Sequence, residues 1–303
     1  MAGVLRLPVE SGDSIAAWRP LIPLNRGTPV ASTSMAPILK WPGGKRALAQ
    51  TIARFVPGKY GTYYEPFCGG AALFLALDPP RAVLGDTNAE LIECYQTLAK
   101  DPDAVISELA MMRNDARSYF SVRASRPASP AGRAARLIYL CRLSFNGIYR
   151  VNKAGEFNVP YGRRDHRSVC EPEHLRAVAL RLARADLQCG DFQTTVETVQ
   201  AGDVVYFDPP YTLAHGSNGF IKYNSQLFAW SDQERLARVA ADLADRGAMV
   251  LVSNADHRDV RALYPGFVCH VIHRHSVIAA TTAARRLVTE VLMIAGEGIS
   301  KCG

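Results

Sequence analysis

The chain has 303 residues, 48% of them hydrophobic and 21% charged, and its 35 Lys and Arg residues exceed its 28 Asp and Glu residues to give a net charge of +7. This composition is that of a folded globular protein with one or two domains, and it excludes a disordered chain, a coiled coil and a collagen-like fibre. No uncharged apolar stretch reaches the ~18 residues of a membrane helix, so we expect no association with a membrane.

Residues 1–34 contain four prolines and lack the uninterrupted apolar stretch of a secretory signal, so we interpret them as a flexible N-terminal extension. The seven cysteines have wide spacings and form no CxxC pair, which favours reduced thiols over disulfides or a zinc site. The triplet His270, His273 and His275 is not expected to bind a metal, because only the last two share a strand face. These features predict a cytoplasmic protein without a metal site.

From residue 36 onward, short apolar strands alternate with helices. The first predicted strand, at 62–67, is followed by a turn with Gly69 and Gly70, and then by a helix at 71–77. The second strand, at 81–85, ends at Asp86, and Asn88 is expected to cap a helix that runs towards Lys100. Alternation of this kind predicts a parallel, wound α/β sheet.

The alternation stops in the middle segment (residues 101–185). Its pattern predicts helices, separated by a linker at 126–130 and a polar loop at 146–169. Residues 113–184 contain fifteen basic and five acidic residues, a local net charge of +10, whereas the remainder of the chain has 20 basic and 23 acidic residues. Such a concentration of arginine indicates a polyanionic partner, with a solvated basic helix face as the alternative.

The alternation resumes after the middle segment. Strands are predicted at 186–191, 203–207, 249–253, 267–276 and 287–295. A helix that runs to about Asp245 is predicted to have Ser231 as its N-cap, with Glu234 completing a capping box. The predicted fold is an α/β domain formed by residues 35–100 and 186–303, into which residues 101–185 are inserted as a mostly helical subdomain.

The sharpest chemical motif is Asp208-Pro209-Pro210-Tyr211, directly after a predicted strand. Ligands of wound sheets bind beyond the carboxyl ends of strands, so the motif lies where chemistry is expected. The two prolines fix the backbone and remove two N–H donors, which leaves a rigid carbonyl beside a carboxylate and an aromatic ring. This arrangement suits an exocyclic amine on a stacked base; a proline-rich turn without function is the alternative.

Two further features support a nucleotide-like ligand. Residues 65–70 (Glu-Pro-Phe-Cys-Gly-Gly) close the first strand, and their glycines let the backbone approach a ligand closely. Asp86 follows Glu65 by 21 residues and can accept both hydroxyls of a ribose. The order of glycine-rich turn, acid and Asp-Pro-Pro-Tyr resembles that of amino-methyltransferases that use S-adenosylmethionine.

Three more motifs extend the resemblance over residues 36–296. They are Lys-Trp-Pro-Gly-Gly-Lys at 40–45, Phe-Asn-Gly-Ile-Tyr-Arg-Val-Asn at 145–152 and Gly-Glu-Phe-Asn-Val-Pro-Tyr-Gly at 155–162. With them, the chain resembles a Dam-type DNA adenine-N6 methyltransferase. The resemblance implies a Rossmann-like S-adenosylmethionine-dependent sheet with an inserted, mostly helical DNA-recognition subdomain. It also implies site-specific methyl transfer to N6 of a flipped-out adenine in double-stranded DNA.

The resemblance also implies a role for individual residues. S-adenosylmethionine would bind to Trp41, Lys45, Glu65, Phe67, Gly69, Asp86, Asp191 and Asp208. The catalytic residues would be Asp208, Pro209, Pro210 and Tyr211. DNA would lie against Lys40, Asn146, Arg150, Asn152 and residues from Pro160 to Arg163. Within these sets, Asp208 would hold the target amine and Tyr211 would stack on the base.

Several alternatives stay open. The tetrad also fits a cytosine-N4 or RNA-base methyltransferase, and the same fold could serve a catalytically silent DNA-binding regulator. An NAD-binding oxidoreductase is disfavoured, because no G-x-G-x-x-G follows the first strand. Arg164 and residues 278–286 depart from the pattern of relatives that read GATC, which leaves the recognition sequence open. We expect a monomer, with a cognate restriction endonuclease as a candidate partner.

Overall fold

The computed structural model describes residues 35–152, 154–163, 168–212, 228–275 and 287–296. The predicted extension at 1–34, Arg164 and residues 278–286 lie outside these ranges. No helix within the described ranges is both long and apolar enough to cross a membrane. The six cysteines that are described are free thiols, and no group of His, Cys, Asp and Glu side chains in these ranges could hold a metal ion.

Seven strands form one mixed sheet in the order β3-β2-β1-β4-β5-β7-β6. They are β1 (Tyr63–Glu65), β2 (Ala82–Asp86), β3 (Ala185–Cys189), β4 (Val204–Phe207), β5 (Met249–Ala255), β6 (Val268–His275) and β7 (Leu287–Ala295). The first five strands pair in parallel, whereas β7 is antiparallel to both of its neighbours. The predicted wound α/β sheet is confirmed.

Ten α-helices accompany the sheet in the described ranges. They are α1 (Ala49–Ala53), α2 (Ala72–Leu77), α3 (Ala89–Lys100), α4 (Pro102–Ala110), α5 (Ala116–Ala124), α6 (Pro130–Leu143), α7 (Pro172–Leu182), α8 (Phe192–Thr195), α9 (Trp230–Asp245) and α10 (Arg258–Ala262). As predicted, the Asn88 side chain caps α3 by accepting a hydrogen bond from the Leu91 N–H group.

The predicted start of α9 is wrong by two residues. Its N-cap is Ala229, whose N–H group donates to the Asp232 carboxylate at 2.9 Å. Ser231 and Glu234 therefore lie inside the first turns of the helix. The physical reason is that an acidic side chain at the third helical position can satisfy the N-cap backbone even when the N-cap residue is an alanine.

Side chains alternate between two apolar cores along the buried strands. In β4, Val204 and Tyr206 belong to one core, whereas Val205 and Phe207 belong to the other. The first core also contains the buried faces of α3, α4, α6 and α7, and the second contains those of α8 and α9. The helices of the middle segment thus share a core with one face of the sheet. A separate subdomain formed by residues 101–185 stays a prediction.

Candidate active site

The sheet has its topological switch point between β1 and β4. These two central strands pair in parallel, with Tyr63 opposite Val204, and the strand order runs outward from them in opposite directions. In wound sheets the crevice at such a point receives ligands at the carboxyl ends of the strands. Glu65 ends β1 and Asp208 directly follows β4, so the fold brings both predicted acids to this crevice.

Lys45 forms a buried ion pair with the first residue of the tetrad. Its Nζ atom lies 2.7 Å from Oδ1 of Asp208, and the two side chains are 6% and 15% exposed. The same ammonium group donates to the Gly43 carbonyl at 3.0 Å and lies 4.8 Å from the centroid of the Tyr211 ring. The Lys-Trp-Pro-Gly-Gly-Lys motif therefore meets the tetrad, although more than 160 residues separate them in sequence.

A second carboxylate reaches the tetrad from β7. Because β7 is antiparallel, its first residues lie beside the carboxyl end of β5, with Glu290 opposite Ala255. Glu290 is 3% exposed, and its Oε2 atom accepts a hydrogen bond of 2.9 Å from the Tyr211 hydroxyl. Its distance from Lys45 Nζ is 3.8 Å. Sequence reasoning missed this residue.

Burial changes the ionisation of the acids in the crevice. It raises the pKa of Asp208 to about 6, a rise that Lys45 opposes and Glu290 reinforces. Burial also raises the pKa of Glu65 to about 8, although the Tyr63 hydroxyl and the Phe74 N–H group both donate hydrogen bonds to it. Glu65 is thus held protonated at neutral pH, whereas Asp208 is mostly a carboxylate.

Two buried amides hold the second proline of the tetrad. Gln233 on α9 donates from Nε2 to the Pro210 carbonyl at 3.1 Å, and its own Oε1 accepts from Nδ2 of Asn254 at 2.9 Å. Asn254 in turn accepts from the Ala255 N–H group at 2.8 Å. Both amide side chains are fully buried. The Pro210 carbonyl therefore already has a partner, which sequence reasoning also missed.

The glycine-rich turn after β1 packs tightly against its surroundings. The Gly69 N–H group donates to Oδ2 of Asp86 at 3.1 Å, and the Gly69 carbonyl accepts from the Tyr95 hydroxyl at 2.7 Å. Gly69 has a φ of +44°, and a Cβ atom there would lie 2.7 Å from Cδ1 of Trp41. The structure thus brings Trp41, Gly69 and Asp86 together. Burial raises the pKa of Asp86.

Trp41 also joins this turn to the middle segment. Its ring stacks on that of Tyr149, with centroids 4.6 Å apart, and the Tyr149 hydroxyl donates to Glu90 at 3.0 Å. Glu90 forms an ion pair with Arg136 of α6. These contacts fix the middle segment against α3 beside the crevice.

The remaining predicted cofactor residues lie beyond β1 and β3. Phe67 belongs to an aromatic cluster with Phe192, Phe207 and Phe228. Asp191 caps α8 and is held by two hydrogen bonds, of 2.7 and 2.8 Å, from the Arg235 guanidinium. Those bonds lower the pKa of Asp191. Its carboxylate is therefore fixed by a neighbouring arginine, which the sequence did not reveal.

Three of the residues predicted to contact DNA (Arg150, Asn152 and Pro160) lie on two antiparallel segments of chain joined by a turn, which we call the paired legs. Two isolated β-bridges join the legs, between Ser144 and Tyr161 and between Val151 and Phe157. Each predicted residue in the legs has a local partner: Arg150 donates to Asn158 at 2.8 Å, Asn152 bonds across the turn to Glu156, and the Pro160 carbonyl accepts from the Phe145 N–H group.

Three further residues are predicted to contact DNA: Asn146 near the start of the first leg, Arg163 after the second leg, and Lys40 before Trp41. Asn146 and Arg163 have positive φ angles, of 55° and 49°. Lys40 packs against Gly147, where a Cβ atom would lie 2.5 Å from the lysine Cδ. The backbone at these positions is therefore unusual, and Lys40 links the loop to Trp41 and the crevice.

Half of the arginines in the basic stretch are already paired. Seven of the fourteen form ion pairs with acidic side chains in the described ranges: Arg126, Arg133, Arg136, Arg142, Arg176, Arg181 and Arg184. Five others form no ion pair with a described residue: Arg113, Arg117, Arg123, Arg150 and Arg163. The remaining two lie outside the described residues. Four of the seven pair with Asp78, Glu90 or Glu93 outside the middle segment, and the other three pair within it.

Comparison with known proteins identifies the kind of enzyme that this arrangement belongs to. The sequence model of the D12 class N6 adenine-specific DNA methyltransferases matches residues 41–278. The chain is 36% identical to the type II methyltransferase M1.LlaDCHI of Lactococcus lactis subsp. cremoris over 270 residues, which cover 86% of this chain and 95% of that protein.

Two DNA adenine methylases are similarly related. The enzyme of Vibrio cholerae is 34% identical over 264 residues (84% of this chain and 94% of that protein). The retron Ec67 DNA adenine methylase of Escherichia coli is 33% identical over 269 residues (86% and 92%). In all three comparisons the match spans nearly the whole of the related protein.

Proposed function

The chain belongs to the D12 class of N6 adenine-specific DNA methyltransferases, and we propose that it transfers the methyl group of S-adenosylmethionine to N6 of an adenine flipped out of duplex DNA. One observation carries the proposal. The carboxylate of Asp208 and the ring of Tyr211 already hold an N–H donor, the ammonium group of Lys45. A target adenine needs the same two side chains. The Asp208 carboxylate would accept a hydrogen bond from the exocyclic amine, and the Tyr211 ring would stack on the purine.

The residues of the crevice fit S-adenosylmethionine. A side chain at position 69 would collide with Trp41, so the turn presents only backbone atoms to the site. Asp86, at the end of the adjacent strand, would accept the ribose hydroxyls, and the aromatic cluster around Phe67 would lie near the purine. When bound, the cofactor supplies a methyl group on a sulfonium sulfur. Trp41, Lys45, Glu65, Asp191 and Asp208 complete the set of residues that we assign to it.

The tetrad would prepare the amine for attack. The lone pair of adenine N6 is delocalised into the ring, so N6 is a poor nucleophile. Hydrogen bonds from its N–H groups to the Asp208 carboxylate and the Pro209 carbonyl would localise that pair as positive charge builds on nitrogen. Gln233 occupies the Pro210 carbonyl, which leaves the Pro209 carbonyl as the backbone acceptor of the tetrad.

Access to the base requires that it leave the helix. Flipping the base out of the duplex costs a few kcal/mol, and stacking on Tyr211 would offset ~1–3 kcal/mol of that cost. The paired legs at 144–161 would lie against DNA through Arg150 and Asn152, with Lys40, Asn146, Pro160 and Arg163 beside them. Phosphate contacts would orient the duplex, and contacts to base edges would select the sequence.

The test is a transfer assay with isotope-labelled methyl donor and either duplex DNA or RNA, followed by mass spectrometry of the nucleosides. We expect label in N6-methyladenine from the wild-type chain and none from a folded Asp208→Ala variant. Label in N4-methylcytosine or in RNA would identify a different substrate, and full activity of the variant would exclude the proposed role of Asp208. Expression in a methylation-free host and single-molecule sequencing would then give the recognition sequence.

We further propose that the enzyme acts as a monomer. The type II name of the Lactococcus relative favours a role beside a cognate restriction endonuclease. Sedimentation of the enzyme with and without duplex DNA tests the first statement. Protection of host DNA from the endonuclease that cuts at the sequenced methylation site tests the second.

A further inference from the structure

Lys45 lies between two buried carboxylates. Its Nζ atom is 2.7 Å from Oδ1 of Asp208 and 3.8 Å from Oε2 of Glu290. The Tyr211 hydroxyl donates to that same Oε2 atom, and the Tyr211 ring lies under the ammonium group.

The ammonium group of Lys45 competes with the proposed substrate. It forms an ion pair with Asp208 and lies over Tyr211, which are the two side chains assigned to the target adenine. The amine can therefore bind only after the ammonium has left Asp208. A buried ammonium that loses its carboxylate partner is strongly destabilised, so this displacement needs another anion nearby.

We propose that Glu290 is a positioning residue, which receives the Lys45 ammonium group when the adenine amine takes its place on Asp208. This inference rests on the proposed function. The distance from Nζ to Oε2 has to shorten by about 1 Å to reach a charge-assisted hydrogen bond. Tyr211 holds Glu290 in place, so the movement falls to the flexible stem of Lys45.

Glu290 also acts on the ionisation of Asp208. Burial is the main cause of the raised pKa of Asp208, and the charge of Glu290 raises that pKa further, whereas Lys45 and Tyr211 lower it. Among the described residues, the charged and titratable groups that face Asp208 are Lys45 from the loop before α1, Glu65 on β1, Tyr206 on β4, Tyr211 and Glu290 on β7. Removing the Glu290 charge should therefore move the pKa of Asp208 down.

The deciding variant is Glu290→Gln, which keeps the size and can still accept from Tyr211. The measurement is the single-turnover rate of methyl transfer at saturating cofactor and duplex DNA, from pH 5 to pH 8. We expect the rate at pH 8 to fall by roughly tenfold or more, because Lys45 stays on Asp208. The acidic limb of the profile should move to lower pH. A rate within twofold of wild type, or an unmoved acidic limb, would overturn the proposal.

Three companion variants separate this role from others. Asp203 accepts two backbone N–H groups at the opposite end of β4, so Asp203→Asn should lower the melting temperature and leave the rate unchanged. Absence of N6-methyladenine with the wild-type chain would overturn the proposed function itself, and an active Asp208→Asn variant would exclude the role of Asp208. An inactive Asp208→Asn variant beside an unaffected Glu290→Gln overturns this inference alone. If Glu290→Gln does not fold, Glu290→Asp decides. The Glu290→Asp variant should lose at least threefold in rate, while the acidic limb of its pH profile stays where it is in the wild type. An unchanged rate would refute the proposal.

Discussion

The side-chain amide of Gln233 donates a hydrogen bond to the carbonyl oxygen of Pro210 at 3.1 Å; Gln233 is fully buried and Pro210 is half-buried. Proline removes two N–H donors from the tetrad, so its backbone cannot be held by donating hydrogen bonds of its own. Gln233 supplies the donor from α9 instead, and Asn254 on β5 fixes the orientation of the Gln233 amide. The position of the tetrad is thus set by two elements that lie outside it.

Replacing Gln233 with Leu should destabilise the protein and slow methyl transfer. The Pro210 carbonyl and the Asn254 amide would lose a buried partner, which costs ~1–3 kcal/mol each. A small displacement of the tetrad should lower kcat by roughly tenfold or more. Urea unfolding and steady-state kinetics measure the two effects. The matched control is Gln96→Leu, since Gln96 makes the same type of bond to the Leu187 carbonyl on the surface. Equal losses in both variants would refute the positioning role.

Methyl transfer should require the ionised form of Asp208. The pKa of this carboxyl group is raised to about 6. Only its ionised form, the carboxylate, offers both oxygens as hydrogen-bond acceptors to the target amine. We therefore expect kcat/KM to fall about tenfold for each pH unit below pH 6 and to level off above pH 7. Initial rates between pH 5 and pH 8, in buffers of constant ionic strength, check this. A flat profile across that range would contradict it.

The sequence predicted the sheet and the position of the Asp-Pro-Pro-Tyr tetrad at the end of a strand, because both have local signatures. Apolar runs that end in Gly69 or Asp208 mark strand ends, and parallel strands bring their carboxyl ends to one edge. Strand order and long-range partners have no such signature. Glu290 is the one charged residue in the mostly apolar run 287–295, a signal that could have marked it, but its contact with Tyr211 follows only from the antiparallel pairing of β7. Gln233 lies in a polar helix and gives no signal.

The buried Glu65 should make the free energy of unfolding depend on pH. The pKa of this group is about 8 in the folded chain, against an ordinary value of 4.5. Between these values the unfolded chain has lost the proton that the folded chain keeps. The free energy of unfolding should therefore fall as pH rises from 5 to 8, by at most about 1.4 kcal/mol per unit. In Glu65→Gln this contribution should vanish. Urea unfolding of both proteins at four pH values measures the difference, and parallel curves would contradict it.

Substitution of Gly69 by Ala should weaken cofactor binding more than it weakens the fold. The positive φ costs ~1–2 kcal/mol for any residue with a Cβ atom, and here that atom would also collide with Trp41. Gly202→Ala is the matched control, because Gly202 has a φ of +83° and open space around its Cα. Calorimetric titration with S-adenosylmethionine should give a raised Kd for the first variant and the wild-type Kd for the second. The same Kd for both would exclude the contact with Trp41 as the cause.

The arginines without acidic partners should carry the electrostatic part of DNA binding. Arg150 and Arg163 form no ion pair with a described residue, whereas Arg176 of α7 is paired with Asp103 and Glu173. A side chain that contacts phosphate contributes about one unit to the slope of log Kd against log salt. We therefore expect Arg150→Ala and Arg163→Ala each to lower that slope by about one, and Arg176→Ala to leave it unchanged. Fluorescence anisotropy with a duplex that contains the methylation site, between 50 and 300 mM salt, gives the slopes (roughly the range over which counterion release dominates). An equal change in all three variants would show that the net charge of the middle segment governs affinity, with no special role for its unpaired arginines.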